Sequence, residues 1–213
     1  KGYTGALSVI PQFGVDPNVF YPPPAPRSEA SVHIAYVGRF VPEKGIDVLL
    51  EALGALQGTW HATFLGSGPT ESALRERTRT LGLEGRVAFA PWLSSTEMPD
   101  FYQTVDVLVL PSRTRPNWTE QFGRVLIEAM ACGVVVVGSD TGEIPHVIDD
   151  AGRVFPEADV AALGSILDTL IKDPPLRHKL GALGRARVLT TYTQDEVARA
   201  TLAVYRTMLA RGS

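Results

Sequence analysis

Along the chain, short apolar runs alternate with stripes of apolar residues at helical spacing. Residues 32–37 form the first run, and Ile46, Leu49, Leu50, Leu53 and Leu56 then recur on one helix face from about Gly45. Residues 61–65 predict a second strand, followed by a polar helix through Leu74 and Leu81. Residues 87–89 predict a third strand and 107–110, wholly apolar, a fourth. Phe122, Val125, Leu126, Ala129 and Met130 mark a helix that Gly133 stops. Residues 134–137 predict a fifth strand and 153–155 an edge strand. Beyond 158 the pattern is helical: Leu163, Ile166, Leu167, Leu170 and Ile171, a break at Pro174-Pro175, a helix near Leu180, and a last one carrying Val197, Thr201, Val204, Tyr205 and Met208. Residues 7–10 predict one more short strand ahead of a Pro-rich, extended stretch over 11–27.

Continuous apolar strands alternating with helices imply a parallel sheet covered on both faces. The fold class is therefore α/β, a Rossmann-like doubly wound domain. Ligands of such sheets sit outside the carboxyl ends of the strands, which directs attention to loops 38–45, 66–70, 90–95, 111–121 and 138–143.

Bulk properties narrow the partners. The 213 residues suffice for one large domain, and a net charge of −3 leaves no electrostatic footprint for nucleic acid. Cys132, the single cysteine, excludes an internal disulfide framework and points to a reducing, cytoplasmic compartment. No apolar run is long enough for a membrane span. The chain begins with Lys1, and its opening residues read as the end of a strand and a linker, so a piece of a longer protein is expected.

The unusual residues gather in the strand-end loops. Gly38-Arg39-Phe40-Val41-Pro42-Glu43-Lys44-Gly45 offers a guanidinium fork and a point charge, both suited to phosphate oxygens. Glu120 and Glu128 bracket the helix expected over 122–132, Glu120 lying at or just before its first turn. If helical throughout, that stretch would separate the two carboxylates by about 12 Å, with the positive end of the helix dipole near Glu120. A diphosphate could lie at such a helix start, with a sugar at each end. A plainer reading stands beside it: Arg124 and Glu128, four apart, make a solvated surface pair. Gly66-Ser67-Gly68 is followed by Pro69 and lacks a third spaced glycine, so a nicotinamide cofactor is not expected. The four histidines show no metal-ligand spacing, and neither a metal nor a cofactor is expected.

Taken together, GRFVPEKG, FLGSGP, DVLVLPS and EQFGRVLIEAMACGVVVVGSDTGEIPHVI resemble the C-terminal, donor-binding domain of retaining glycosyltransferases of the B fold, family four. VIPQFGVDPNVFYPPP is similar to that family's interdomain linker. The resemblance implies a linker over 1–31, a nucleotide-sugar-binding domain over 32–191, and a C-terminal helix over 192–213 that packs on an N-terminal domain lying outside this chain. It implies that Arg39 and Lys44 bind the donor diphosphate and that Glu128 holds the ribose. Glu120, with Gln121, Phe122 and Gly123, would contact the transferred sugar, and Val125 and Leu126 would lend amides to phosphate. Gly38 lets backbone approach the ligand, and the base would rest near Gly66 and Trp92. For Trp92 a buried structural role is an equal reading, and Asn117-Trp118 would shape the sugar or acceptor pocket. The implied partners are a nucleotide-sugar donor and a sugar, lipid or polysaccharide acceptor, with any membrane contact made through the missing domain. By the same resemblance the isolated chain transfers little or nothing. Val135 stands where the family commonly has proline, and His146 where many members carry Glu, so His146 receives no role. Two rivals are a nucleotide-sugar epimerase and a non-catalytic nucleotide-binding module.

Overall fold

The computed structural model describes residues 7–25 and 29–211. Six strands, β1 (Val32–Val37), β2 (Trp60–Leu65), β3 (Val87–Ala90), β4 (Val107–Leu110), β5 (Val135–Ser139) and β6 (Arg153–Phe155), form one parallel sheet in the order β3-β2-β1-β4-β5-β6. The order reverses between β1 and β4. The helices that follow those two strands therefore lie on opposite faces of the sheet, and a crevice opens at the strands' carboxyl ends.

Seven α-helices pack about the sheet, α1 (Ile46–Gly54), α2 (Glu71–Thr80), α3 (Met98–Thr104), α4 (Arg124–Ala131), α5 (Ile144–Ile148), α6 (Val160–Lys172) and α7 (Pro174–Thr191), and an eighth among the described residues, α8 (Gln194–Arg211), follows with no buried residue. Successive strand residues point to opposite faces. Ile34, Tyr36, Phe64, Val107 and Val137 meet the leucines of α1 and α6, whereas Ala35, Val37, Leu108, Leu110 and Val136 meet α3, α4, α5 and α7. In central strand β4 both faces are buried along its whole length, which is why 107–110 reads as an unbroken apolar run.

Several expectations change. Residues 7–10 are no strand: Leu7 and Val9 are exposed and unpaired with the sheet. Residues 1–6 and 26–28 of the expected linker lie outside the described residues. The break expected at Pro174-Pro175 is present, α6 ending at Lys172 and α7 beginning on the prolines, because a proline at a helix start forfeits no helical hydrogen bond; Asp173 caps that start by accepting from the Leu176 amide at 2.9 Å. The short helices α3 and α5 lacked a periodic signal; each opens on a proline within its first two positions. α8 begins where Val15 and Thr193 pair as a short bridge, with Val15 N–H donating to Tyr192 O at 2.9 Å and Gln194 N–H to Val15 O at 3.1 Å.

At the opposite end of the sheet, His33 is buried, donates from Nδ1 to Thr104 O at 2.9 Å, and stacks on His61 with ring centroids 4.4 Å apart. That leaves Nε2 as the acceptor for the Thr63 hydroxyl, 2.9 Å away. Burial holds the His33 pKa below its usual value, and the neighbouring His61 adds to the effect against the Thr104 and Asp106 contributions. The folded state thus binds fewer protons than the unfolded one just below pH 6.5, so stability is full above that pH and falls as pH drops below it. Urea midpoints are expected to decrease from pH 7.5 to pH 5, and a His33→Asn variant to show a flatter profile over the same interval.

Candidate active site

The loop after β1 is held by its own strand. The Tyr36 hydroxyl donates to Arg39 O at 2.9 Å, Phe40 is fully buried, and Phe40 N–H donates to Ser67 O at 2.8 Å. These anchors turn Arg39 outward, where its guanidinium has no partner among the described residues. Two glycines make the packing of this rim feasible. Gly45 adopts φ +62°, and a Cβ there would lie 2.0 Å from Pro111 O; Gly66 adopts φ +145°, and a Cβ there would lie 2.0 Å from Gly38 O. The loops after β1, β2 and β4 are thereby nested backbone to backbone.

Glu120 stands on the loop after β4, not on a helix. α4 starts only at Arg124, with Gly123 in a left-handed conformation as its N-cap, so the continuous helix joining the two glutamates does not exist. The Glu120 residue is 9% exposed. Its Oε2 accepts from Lys44 Nζ at 2.5 Å and from the Ser112 hydroxyl at 2.8 Å, while Oε1 has no partner among the described residues. Ser112 is itself pinned, its carbonyl accepting from the Ser139 hydroxyl at 2.6 Å. Lys44 also lies under the Trp118 ring, 4.9 Å from its centroid. Arg39, Lys44, Trp118, Thr119, Glu120 and Gln121 share one cleft of about 250 Å³ at the switch between β1 and β4.

Next to this cleft, the start of α4 has no side-chain cap, so its first amides lack helical partners. Leu126 is not among the free ones: its N–H donates to Gly123 O at 2.8 Å, which leaves Arg124 and Val125 as the available amides and corrects the expectation for Leu126. Phe122 turns its ring inward, between Phe13 and Tyr192 with centroids 5.7 and 5.8 Å away, and offers only backbone to a ligand. Glu128 is 7% exposed, a depth that its place off the apolar stripe did not announce. Its Oε1 accepts from Arg124 Nε at 2.7 Å and its Oε2 from the Tyr102 hydroxyl at 3.1 Å. Burial raises the Glu128 pKa, and Arg124 and Tyr102 oppose the rise. The expected i, i+4 pair is therefore present, but one of its ends is buried.

Gly38 sits at the head of the β1 loop, where a Cβ would come within 2.5 Å of the Tyr36 hydroxyl. Trp92, after edge strand β3, is 50% exposed, which removes the reading of it as a buried structural tryptophan. It does not line the cleft that holds Lys44 and Glu120. Ser112, Ser139 and Tyr102 were not singled out from the sequence; the hint was that Ser112 stands two residues after an apolar strand. Among the described residues no group of three or more His, Cys, Asp or Glu gathers as a metal ion requires.

A parallel sheet in this order, with cations, a helix start and a fixed carboxylate at its switch point, defines a Rossmann-like domain suited to a phosphorylated ligand. The chain belongs to the family described as glycosyl transferases group 1, whose sequence profile matches residues 22–187, and corresponds to the C-terminal domain of such enzymes. It is 32% identical over 199 residues to a GDP-mannose-dependent alpha-(1-6)-phosphatidylinositol monomannoside mannosyltransferase of Mycolicibacterium smegmatis, covering 86% of this chain and 52% of that protein. It is 30% identical to the lipopolysaccharide core biosynthesis mannosyltransferase LpsB of Rhizobium meliloti, covering 98% of this chain and 64% of that one. The chain thus spans about half to two-thirds of the length of these relatives. Among solved structures, the C-terminal domain of a glycosyl transferase group 1 family protein (LpcC) from Francisella tularensis matches with TM-score 0.75 and 27% identity, over 85% of this chain and all of that one. A sucrose-phosphate synthase from Thermosynechococcus elongatus matches with TM-score 0.80 and 27% identity, over 93% of this chain and 52% of that one.

Because Gly66 has no room for a side chain, Gly66→Ala is expected to lower unfolding free energy by about 1–3 kcal/mol. Gly164→Ala, mid-helix in α6 with nothing within 4 Å of the added carbon, is expected to raise it by about 0.5–1 kcal/mol. Paired denaturation curves check both.

Proposed function

We propose that this domain holds the nucleoside diphosphate sugar of a glycosyltransferase that transfers the sugar with retention of configuration. The observation that carries the reading is the meeting of Arg39, Lys44 and Glu120 in one cleft beside the uncapped start of α4. As the glycosidic bond breaks, negative charge grows on the departing diphosphate. Arg39, Lys44 and the Arg124 and Val125 amides are fixed where they favour that charge over the ground state. Lys44 carries three donors, so one bond to Glu120 leaves others for phosphate oxygens. Glu120 Oε1 then serves a hydroxyl of the transferred sugar, and Glu128 the ribose. No side chain in the cleft is offered as a covalent nucleophile; retention follows from attack on the face the diphosphate leaves.

Within this reading the donor domain spans 32–191, and α8 packs on a second, N-terminal domain that supplies the acceptor site. Leu202, Tyr205, Met208 and Leu209, 47–74% exposed, are the apolar surface it would bury. The chain alone then binds donor and transfers little. Among the described residues no helix is long and apolar enough to cross a membrane, and we assign the domain to the cytoplasm on the strength of its single buried thiol. The names of the relatives make GDP-mannose the first donor to try.

A thermal-shift screen of UDP, GDP, ADP and GDP-mannose is expected to raise the melting temperature with at least one, since a ligand of the native state alone must do so; no shift with any would defeat the reading. For the nucleotide that binds, calorimetry is expected to show Arg39→Ala and Lys44→Ala each weakening affinity about tenfold or more, the scale of a charge-assisted hydrogen bond. Unchanged affinity in both variants would remove them from the site.

A further inference from the structure

Tyr102 is fully buried and lies on α3, an element outside the strand-end loops. Its ring packs between Phe20 and Phe101, with centroids 6.2 and 5.9 Å away, so its direction is set by apolar neighbours on both sides. The hydroxyl is thereby delivered to Glu128 Oε2 at 3.1 Å, from the side of α4 that faces the core. Arg124 grips the other oxygen from the solvent side, its side chain 61% exposed and its guanidinium 6.0 Å from the centroid of the Phe13 ring. Of the two groups holding the carboxylate, only the phenol is enclosed by the core. We propose that Tyr102 is the positioning residue for Glu128: it fixes the plane of the carboxylate, so that Oε1 remains presented to the ribose hydroxyls of the nucleotide when Arg124 moves aside.

This inference rests on the assignment of Glu128 to the ribose. A carboxylate held by one rigid donor loses little conformational freedom on binding, whereas one held by the exposed arginine alone must be ordered by the ligand itself. A hydrogen bond to the charged form also favours ionised Glu128 against the effect of its burial. The groups acting on Glu128 are Arg124, from its own helix, and Tyr102. Cys132 on α4 and Arg185 on α7 lie one step further out; Cys132 acts on Tyr102 and on Arg185.

Tyr102→Phe removes one oxygen and keeps the ring. The measurement is the affinity ratio between a ribonucleoside diphosphate and its 2′,3′-dideoxy counterpart, by calorimetry on this chain from pH 5 to 8. Taking the ratio cancels titration of the phosphates. In the wild type the ribose form is expected to bind at least about tenfold tighter, with Glu128→Gln abolishing most of the preference. Tyr102→Phe is expected to bind the dideoxy form as the wild type does, to cut the ratio about fivefold, and to move the pH midpoint of the ratio upward. A wild-type ratio and midpoint in Tyr102→Phe overturn the proposal, as does a wild type that binds ribose and dideoxy forms alike. Failure of every nucleoside diphosphate to bind is a different result and defeats the donor-site reading itself. Should Tyr102→Phe not fold, 3-fluorotyrosine substitution supplies a stronger donor and must lower the midpoint; an unmoved midpoint overturns the proposal equally.

Discussion

The ion pair between Lys44 and Glu120 joins the two halves of the sheet across the point where strand order reverses. Lys44 arrives on the loop after β1 and Glu120 on the loop after β4, and the same two loops are tied by the Arg113 N–H donating to Glu43 O at 2.7 Å. Neither charge is isolated: the carboxylate has the Ser112 hydroxyl and the ammonium the Trp118 ring. A half-buried charge pair is tolerable only when such further partners satisfy it. That leaves Arg39 as the cation of this cleft without a partner among the described residues.

The sheet was legible from sequence because burial on both faces forces unbroken apolar runs. Residues 32–37, 107–110 and 153–155 were placed as β1, β4 and β6 to the residue, and the boundaries of β2, β3 and β5 moved by one or two. Legibility failed where local pattern carries no record of tertiary contact. Glu128 looked like a surface residue because it lies off the apolar stripe of its own helix, yet α3 packs over it and Tyr102 meets it. α3 itself has seven residues and no stripe. Ser112 earns its place through a bond to a side chain eight positions on, which no periodicity encodes.

The site residues divide in the same way. The β1 loop and the two glutamates stood out by residue type at strand ends, and Arg39, Lys44, Glu120 and Gln121 do line one cleft. The backbone roles were harder to foresee. Whether an amide at a helix start is free depends on whether the cap carbonyl turns back to it, as Gly123 O does to Leu126 and not to the two residues before. Trp92 resisted assignment for a related reason: its exposure is decided by the sheet edge on which it lies and by nothing in its neighbours along the chain.

The bridge between Val15 and Thr193 carries one more implication. Gly14 lies so close to the start of α8 that an added carbon would sit 2.7 Å from Gln194 N, and Phe13, one residue earlier, touches Phe122 just ahead of α4. Two distant stretches of polypeptide are therefore clasped like crossed straps under a single buckle. They cannot slip past each other, so a displacement of either is felt by both, and the Phe122 ring just ahead of α4 rides on the same fastening.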